Sequence, residues 1–293
     1  MLHALVVSCW LVGASACALA QTDRGADVPA CGTVVDLSVR NGAQLRYSWV
    51  AGQPLTDSAG KPTAAVAAIL LVGGGGWVDI DQAGCPQRLK GNILVRTAPR
   101  LRAAGVTTVL VDAPSDWPGD DGLAGFRIQA PHAADLGRVV ADIRARTGAR
   151  TVWLIGHSRG SLSAANAAAR LSGTEAPDGV VLASAMLVGE NSKRKPWVAQ
   201  TVFDTDIKNF RGALLLVGHA ADNCVRSVPE QMDAVLAGAN AARAQAVRVT
   251  GGPRPAGRAP SLSACEVHEP HDFVEQDGLF ADGVLRFIQG GRF

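Results

Sequence analysis

From about residue 64 onward, short apolar runs alternate with longer stretches of helical periodicity. Residues 65–72 (AVAAILLV), 106–111 (VTTVLV), 151–155 (TVWLI), 180–183 (VVLA), 213–217 (ALLLV) and 246–249 (AVRV) are apolar at most positions. A strand with one wet face alternates apolar and polar residues, whereas a strand covered on both faces has no need to. These runs therefore predict the strands of a buried parallel sheet. Between them, Leu136, Val139, Val140 and Ile143 recur at i, i+3, i+4 and i+7, which predicts a helix with one stripe against the sheet. Residues 161–171 are mostly small and predict a helix packed close to it. Ser227-Val228-Pro229-Glu230 has capping-box spacing, with proline in the first turn, ahead of Met232, Val235 and Leu236. Residues 272–288 read as a closing helix. The alternation predicts an α/β fold: a doubly wound, mostly parallel sheet with helices on both faces.

The remaining segments depart from that rhythm. Residues 44–50 (QLRYSWV) have strand character and follow Asn41-Gly42, a hairpin signal, so an antiparallel ribbon is expected at the sheet edge. Residues 77–89 and 187–211 read as neither strand nor core helix. The second of these is expected to form a small cap, with Lys193-Arg194-Lys195 on its solvated surface. Residues 251–263 are rich in Gly, Pro and Arg and read as a long loop. No repeat and no linker divides the chain, so residues 21–293 are read as one domain.

Composition narrows the class. Apolar residues make up 47% and charged residues 18% of 293 positions, which excludes a mostly unfolded chain. The formal net charge of +2 gives no electrostatic reason to expect nucleic acid or an anionic membrane as partner. Residues 1–20 carry no Asp, Glu, Lys or Arg, and Ala18-Leu19-Ala20 fits a cleavage pattern before Gln21. They read as a signal peptide, which places the protein in the periplasm or outside the cell. The apolar stretch is short for a membrane span, and a lipoprotein signal ending at Cys17 is the weaker alternative. Beyond residue 20 four cysteines remain, Cys31, Cys85, Cys224 and Cys265, an even number that suggests two disulfides in an exported protein.

The chemistry centres on Gly156-His157-Ser158-Arg159-Gly160, which lies between the apolar run TVWLI and a helix of small residues. A chain with 33 glycines produces G-x-S-x-G by chance, so its position between strand and helix is what gives it meaning. There the sharp turn lifts the Ser158 hydroxyl above the C-terminal edge of the sheet. A serine nucleophile needs a base, and the base needs an orienting group. Asp222 follows the strand ALLLV, and His271 lies before the closing helix, so both fall where they can converge on Ser158. His268 competes with His271, and Asp204 and Asp206 compete with Asp222. The backbone N–H of Arg159 and amides of the run Gly73-Gly74-Gly75-Gly76 are candidate donors to an oxyanion. Trp77 either lines an acyl pocket or packs. His157, His132 and Asp112 read as structural. His268-x-x-His271 as a metal pair lacks an evident third ligand, and Pro270 spoils helical spacing, so no metal or cofactor is expected. The four cysteines allow three pairings. Chain position favours Cys224–Cys265, which would tie the acid loop to the histidine loop, and leaves Cys31 with Cys85.

On these motifs the chain resembles the α/β-hydrolase superfamily over nearly all of residues 31–293. The elbow GHSRG, the loop GGGGW, Asp222 and His271 occur in that superfamily's order. GGGGW is similar to an HGGGW oxyanion motif with Gly73 in the histidine's place, which carries the oxyanion amides to Gly74 and Gly75. The segments VDAPSD (111–116), 156–171 and DNC (222–224) also resemble a group of exported proteobacterial hydrolases. The resemblance implies an exported serine hydrolase acting on a small-molecule carboxylic ester. An amidase or peptidase using the same three residues, and a non-catalytic binding module on the same scaffold, remain open alternatives.

Overall fold

The computed structural model describes residues 31–56, 59–60, 63–253 and 259–293. The expected signal peptide and Cys17 lie outside these residues. Eight strands form one sheet: β1 (Thr33–Ser38), β2 (Gln44–Val50), β3 (Val66–Leu71), β4 (Val106–Val111), β5 (Thr151–His157), β6 (Gly179–Ala183), β7 (Ala213–His219) and β8 (Arg243–Val249). Their spatial order is β1-β2-β4-β3-β5-β6-β7-β8. β1 pairs antiparallel with β2, and β2 antiparallel with β4; all other pairings are parallel. The expected doubly wound sheet with an antiparallel ribbon at its edge is therefore what the chain forms. The ribbon turns through residues 40–42, where Asn41 and Gly42 both have positive φ.

Among the described residues, five helices cover the sheet: α1 (Ile93–Ala103), α2 (Ala130–Thr147), α3 (Gly160–Arg170), α4 (Met232–Gly238) and α5 (Asp277–Ile288). The side chains of β3 show why its residues need no alternation. Ala67, Ile69 and Leu71 enter the core under α2 and α3, while Ala68 and Leu70 enter the core under α1 and α5. Every one of them is 5% exposed or less. In α2, Leu136, Val139, Val140 and Ile143 are fully buried, as their spacing requires.

Two element starts differ from the sequence reading. Ser227 makes no capping bond; its N–H closes a turn on Cys224, and a 3-10 turn at Pro229–Gln231 leads into α4 at Met232. The closing helix starts at Asp277 rather than near residue 272, because Phe273 and Glu275 take positive φ values of 51° and 57°. That break lets consecutive side chains in the turn Pro270–Asp272 serve different partners, as described below.

Residues 187–211 hold three 3-10 turns, at Pro196–Ala199, Val202–Thr205 and Ile207–Asn209. Val202, Ile207 and Phe210 are buried in the core on the α3 side. Farther out, Lys195 pairs with Asp121, and Gln200 donates to the carbonyl of Gly125. Lys193 and Arg194 are exposed. Disulfides join Cys31 to Cys85 and Cys224 to Cys265. The first pins the ribbon to residues 81–86, where Cys31 N–H also donates to the Ala83 carbonyl. Among the described residues no helix is long and apolar enough to cross a membrane.

Candidate active site

β5 ends at His157, and α3 starts at Gly160, so the chain reverses within Ser158 and Arg159. The turn places Ser158 at φ 53°, a left-handed conformation that a serine adopts only under constraint. Both flanking glycines are required by close approach. A Cβ on Gly156 would lie 2.4 Å from the Gly160 carbonyl oxygen, and one on Gly160 would lie 1.9 Å from that of Leu71. Ser158 N–H donates to the Ala183 carbonyl at the end of β6, which fixes the turn against the sheet.

Three loops at the C-terminal ends of strands converge on the Ser158 hydroxyl. His271 Nε2 lies 3.0 Å from Ser158 Oγ, and His271 Nδ1 lies 2.9 Å from Asp222 Oδ2. The side chains of Asp222 and His271 are both fully buried. With Nδ1–H donating to the carboxylate, Nε2 is left to accept from the serine hydroxyl. Asp222 Oδ1 accepts from Cys224 N–H, so the acid loop holds its own carboxylate in place. The competitors are elsewhere. His268 is exposed. Asp204 caps its own turn through Thr201, and Asp206 faces Lys208 on the surface. One cluster of possible metal donors, Asp222, Cys224 and His271, lies here, but Cys224 is bridged to Cys265 and offers no thiolate.

Beneath His271 lies a second imidazole, His157, which the sequence marks only as structural. Asn92 caps α1 by accepting Leu94 N–H on Oδ1, so its Nδ2 group faces His157 Nδ1 and donates to it at 2.8 Å. His157 Nε2–H then donates to the backbone carbonyl of His271 at 3.0 Å. The Ser184 hydroxyl donates to the same carbonyl at 2.7 Å. Burial pushes the His157 pKa down to about 4; the nearby Asp272 carboxylate opposes that only in part. Asp272, next to His271 in sequence, points the other way. Its Oδ1 accepts the α1 N-terminal amide of Ile93 at 2.9 Å, and its Oδ2 pairs with Arg96, which also pairs with Asp277. The base loop is thereby locked to α1 and α5. None of these partners is marked by a local motif.

The glycine loop comes equally close. A Cβ on Gly73 would lie 2.9 Å from Ser158 Cβ and 3.4 Å from its Oγ, so no side chain fits there and bare backbone faces the hydroxyl. Gly76 N–H closes a turn on the Gly73 carbonyl, and Gly75 O accepts from Leu123 N–H. Among the described residues, the N–H groups of Gly74, Gly75 and Arg159 have no hydrogen-bond acceptor. Asp112, at the end of β4, anchors the segment that follows: its carboxylate accepts from the N–H groups of Val78, Ile80 and Ala113. Trp77 is half-buried against Ala113, Leu123 and Phe126, with the Arg88 guanidinium 4.6 Å above its ring. Arg127, which the sequence reading missed, lies fully buried under this loop. A cavity of about 890 Å³ lies away from this rim, beside the Cys31–Cys85 bridge between β2 and α1, and none of Ser158, Asp222 or His271 lines it.

Solved structures share this architecture. A serine hydrolase without a lid from Xanthomonas campestris aligns with a TM-score of 0.52 at 19% identity, over 87% of this chain and 94% of its own. An esterase from Exiguobacterium antarcticum aligns with a TM-score of 0.53 at 11% identity, over 88% and 99%. The protein Est1E from Butyrivibrio proteoclasticus, solved with ferulic acid bound, aligns with a TM-score of 0.52 at 17% identity, over 85% and 96%. At these identities the likeness is one of fold. No curated protein sequence gives a significant match. A family model described as the alpha/beta hydrolase family matches residues 69–282, and with the sheet order and the turn at Ser158 this makes the chain a member of the alpha/beta hydrolase family.

Proposed function

We propose that the protein is an exported serine hydrolase that cleaves small carboxylic esters through an acyl-enzyme on Ser158. The observation that carries this reading is the continuous chain of contacts from Asp222 Oδ2 through the His271 ring to Ser158 Oγ, with both links at 3.0 Å or less. His271 takes the hydroxyl proton as Ser158 attacks the acyl carbon, then delivers it to the departing alkoxide. Asp222 holds the reactive tautomer and stabilises the imidazolium. Water then attacks the acyl-enzyme with His271 as base. The N–H of Arg159, directly after the nucleophile, and the amides of Gly74 and Gly75 bind the oxyanion; all three lack acceptors among the described residues. Residues 187–211 act as a small cap whose contacts with residues 121–125 bound the site, and Trp77 borders the acyl group. Removal of residues 1–20 accompanies export, in keeping with two disulfides that an oxidising compartment maintains.

The direct test is covalent labelling with a fluorophosphonate. The folded protein is expected to take one label, on Ser158, and Ser158→Ala to take none. Absence of label on the folded parent would overturn the proposal. Comparing p-nitrophenyl acetate with a p-nitroanilide separates ester from amide cleavage, and the ester is expected to react faster.

A further inference from the structure

Arg127 is the largest fully buried side chain among the described residues, and it carries a charge that the acyl-transfer scheme does not use. It sits in the 3-10 turn Ala124–Ile128, under the glycine loop, and is 1% exposed. Its Nη1 donates to Ser163 Oγ at 2.8 Å, and its Nη2 donates to the carbonyls of Gly74 at 3.0 Å and Val72 at 3.2 Å. Among the described residues no carboxylate pairs with it, and its Nε–H has no partner. Burying a cation without a counter-ion is costly even after relaxation, so an unpaired one calls for a role. His132, whose Nε2 meets the same Ser163 hydroxyl, does not offset the charge. Burial, with Arg127 and Arg40 nearby, pushes its pKa down to about 3, so it stays neutral.

The positions of the bonded carbonyls say what the charge does. In a planar trans peptide the C=O and N–H point in opposite directions. The Val72 carbonyl shares its peptide with Gly73 N–H, and the Gly74 carbonyl shares its peptide with Gly75 N–H. With both carbonyls drawn to the guanidinium, both N–H groups point away from it, in a loop that runs against Ser158. A full positive charge on the carbonyl side also polarises each peptide and makes its N–H a stronger donor, an effect enlarged by the low dielectric of a dry site. Gly76 fits closely against the guanidinium: its φ is 76°, and a Cβ there would lie 2.6 Å from Arg127 Nη2, so a side chain would push the guanidinium aside. The turn itself is fixed by Asn166, whose amide donates to the Arg127 carbonyl.

We propose that Arg127 is a positioning residue for the oxyanion site, orienting and polarising the Gly75 amide toward the charge that develops on the substrate and fixing the loop through the Val72–Gly73 peptide. This rests on the acyl-enzyme reading of Ser158. Arg127 touches neither substrate nor nucleophile and acts only through the two peptides.

The test uses Arg127→Met and Arg127→Lys in the full chain, with turnover normalised to sites titrated by fluorophosphonate, so that a misfolded fraction does not count. Arg127→Met is expected to lower kcat per titrated site ~100-fold, comparable to loss of an oxyanion donor, with KM within about twofold of the parent. Arg127→Lys, which keeps the charge but loses the fork, is expected to fall between. An aryl trifluoromethyl ketone adds to the serine and forms a tetrahedral oxyanion. It should lose affinity by the same factor as kcat, while the matching methyl ketone should not. If Arg127→Met does not fold, Ser163→Ala, which removes the Nη1 acceptor, should show the same ketone contrast at ~3–10-fold. Variants that keep kcat per titrated site within twofold, or that lose turnover without losing trifluoromethyl ketone affinity, overturn the proposal. A parent that takes no label and hydrolyses no ester instead overturns the acyl-enzyme reading, and the Arg127 role with it.

Discussion

Two imidazoles lie side by side at the rim of the sheet, their ring centres 5.3 Å apart, and both are buried. His271, on the loop before α5, sits between a carboxylate and a hydroxyl. His157, at the end of β5, sits between the amide of Asn92 and a backbone carbonyl. The first pair of neighbours can accommodate a proton arriving on the ring, because a negative charge waits at Nδ1. The second pair is satisfied only by the neutral ring, and burial enforces it. Partners, rather than depth or residue type, separate a ring suited to move protons from one that holds its neighbour still.

The contrast breaks most completely if the moving ring is removed. His271→Ala and Ser158→Ala are expected to lower kcat for p-nitrophenyl acetate by ~10⁵–10⁶-fold while the melting temperature changes little. A variant retaining a tenth of parental turnover would mean that the roles are misassigned. Asp222→Asn comes next: it removes the charge but keeps the shape, and a ~10³–10⁴-fold loss in kcat is expected because the amide stabilises the wrong tautomer.

His157→Gln tests the other side. Its shorter side chain cannot bridge Asn92 and the His271 carbonyl together, so the base loop shifts slightly. A ~10–100-fold fall in kcat is expected, with KM nearly unchanged and stability lower by about 1–3 kcal/mol in urea unfolding. Equal kcat in parent and variant would reduce His157 to packing alone.

The remaining effect is one of pH and falls on stability rather than turnover. His157 and His132 have folded pKa values of about 4 and 3, below the unfolded value near 6.5. The unfolded chain therefore binds more protons between these limits. The stability each neutral ring contributes is present above pH 6.5 and is lost as pH falls toward the folded values, about 3 kcal/mol per histidine at pH 4. The melting temperature should fall from pH 7 to pH 4, and His157→Gln should flatten that fall.

Much of this rim was readable in the chain itself, because the constraints on it are local. The turn at Ser158 is written in two glycines that close contact demands, and the strand before it in a run apolar on both faces. Asp222 and His271 could be placed by strand order, since ends of parallel strands share one edge. The partners beneath them could not. Asn92 and Ser184 reach His157 and the base loop, and Asp272 reaches α1, across 65 to 179 residues of sequence, through contacts that leave no spacing to recognise. Arg127 goes unmarked for a further reason: a lone arginine in the apolar turn Ala124–Ile128 belongs to no motif, and only the packed molecule shows it enclosed. The closing helix starts late for a related reason. His271 and Asp272 must face opposite ways, and a continuing helix would have set them on adjacent sides of one cylinder.

The Cys224–Cys265 bridge fastens the segment holding the acid to the segment holding the base across 41 residues, at the margin of the core under α2 and α3. Neither cysteine sits in a strand or an α-helix, so opening the bridge leaves the sheet and its helices intact while freeing the two segments to drift apart. In a thiol-rich medium, loss of turnover should precede loss of fold, so material prepared in a reducing host would appear soundly built by spectroscopy and yet be catalytically poor.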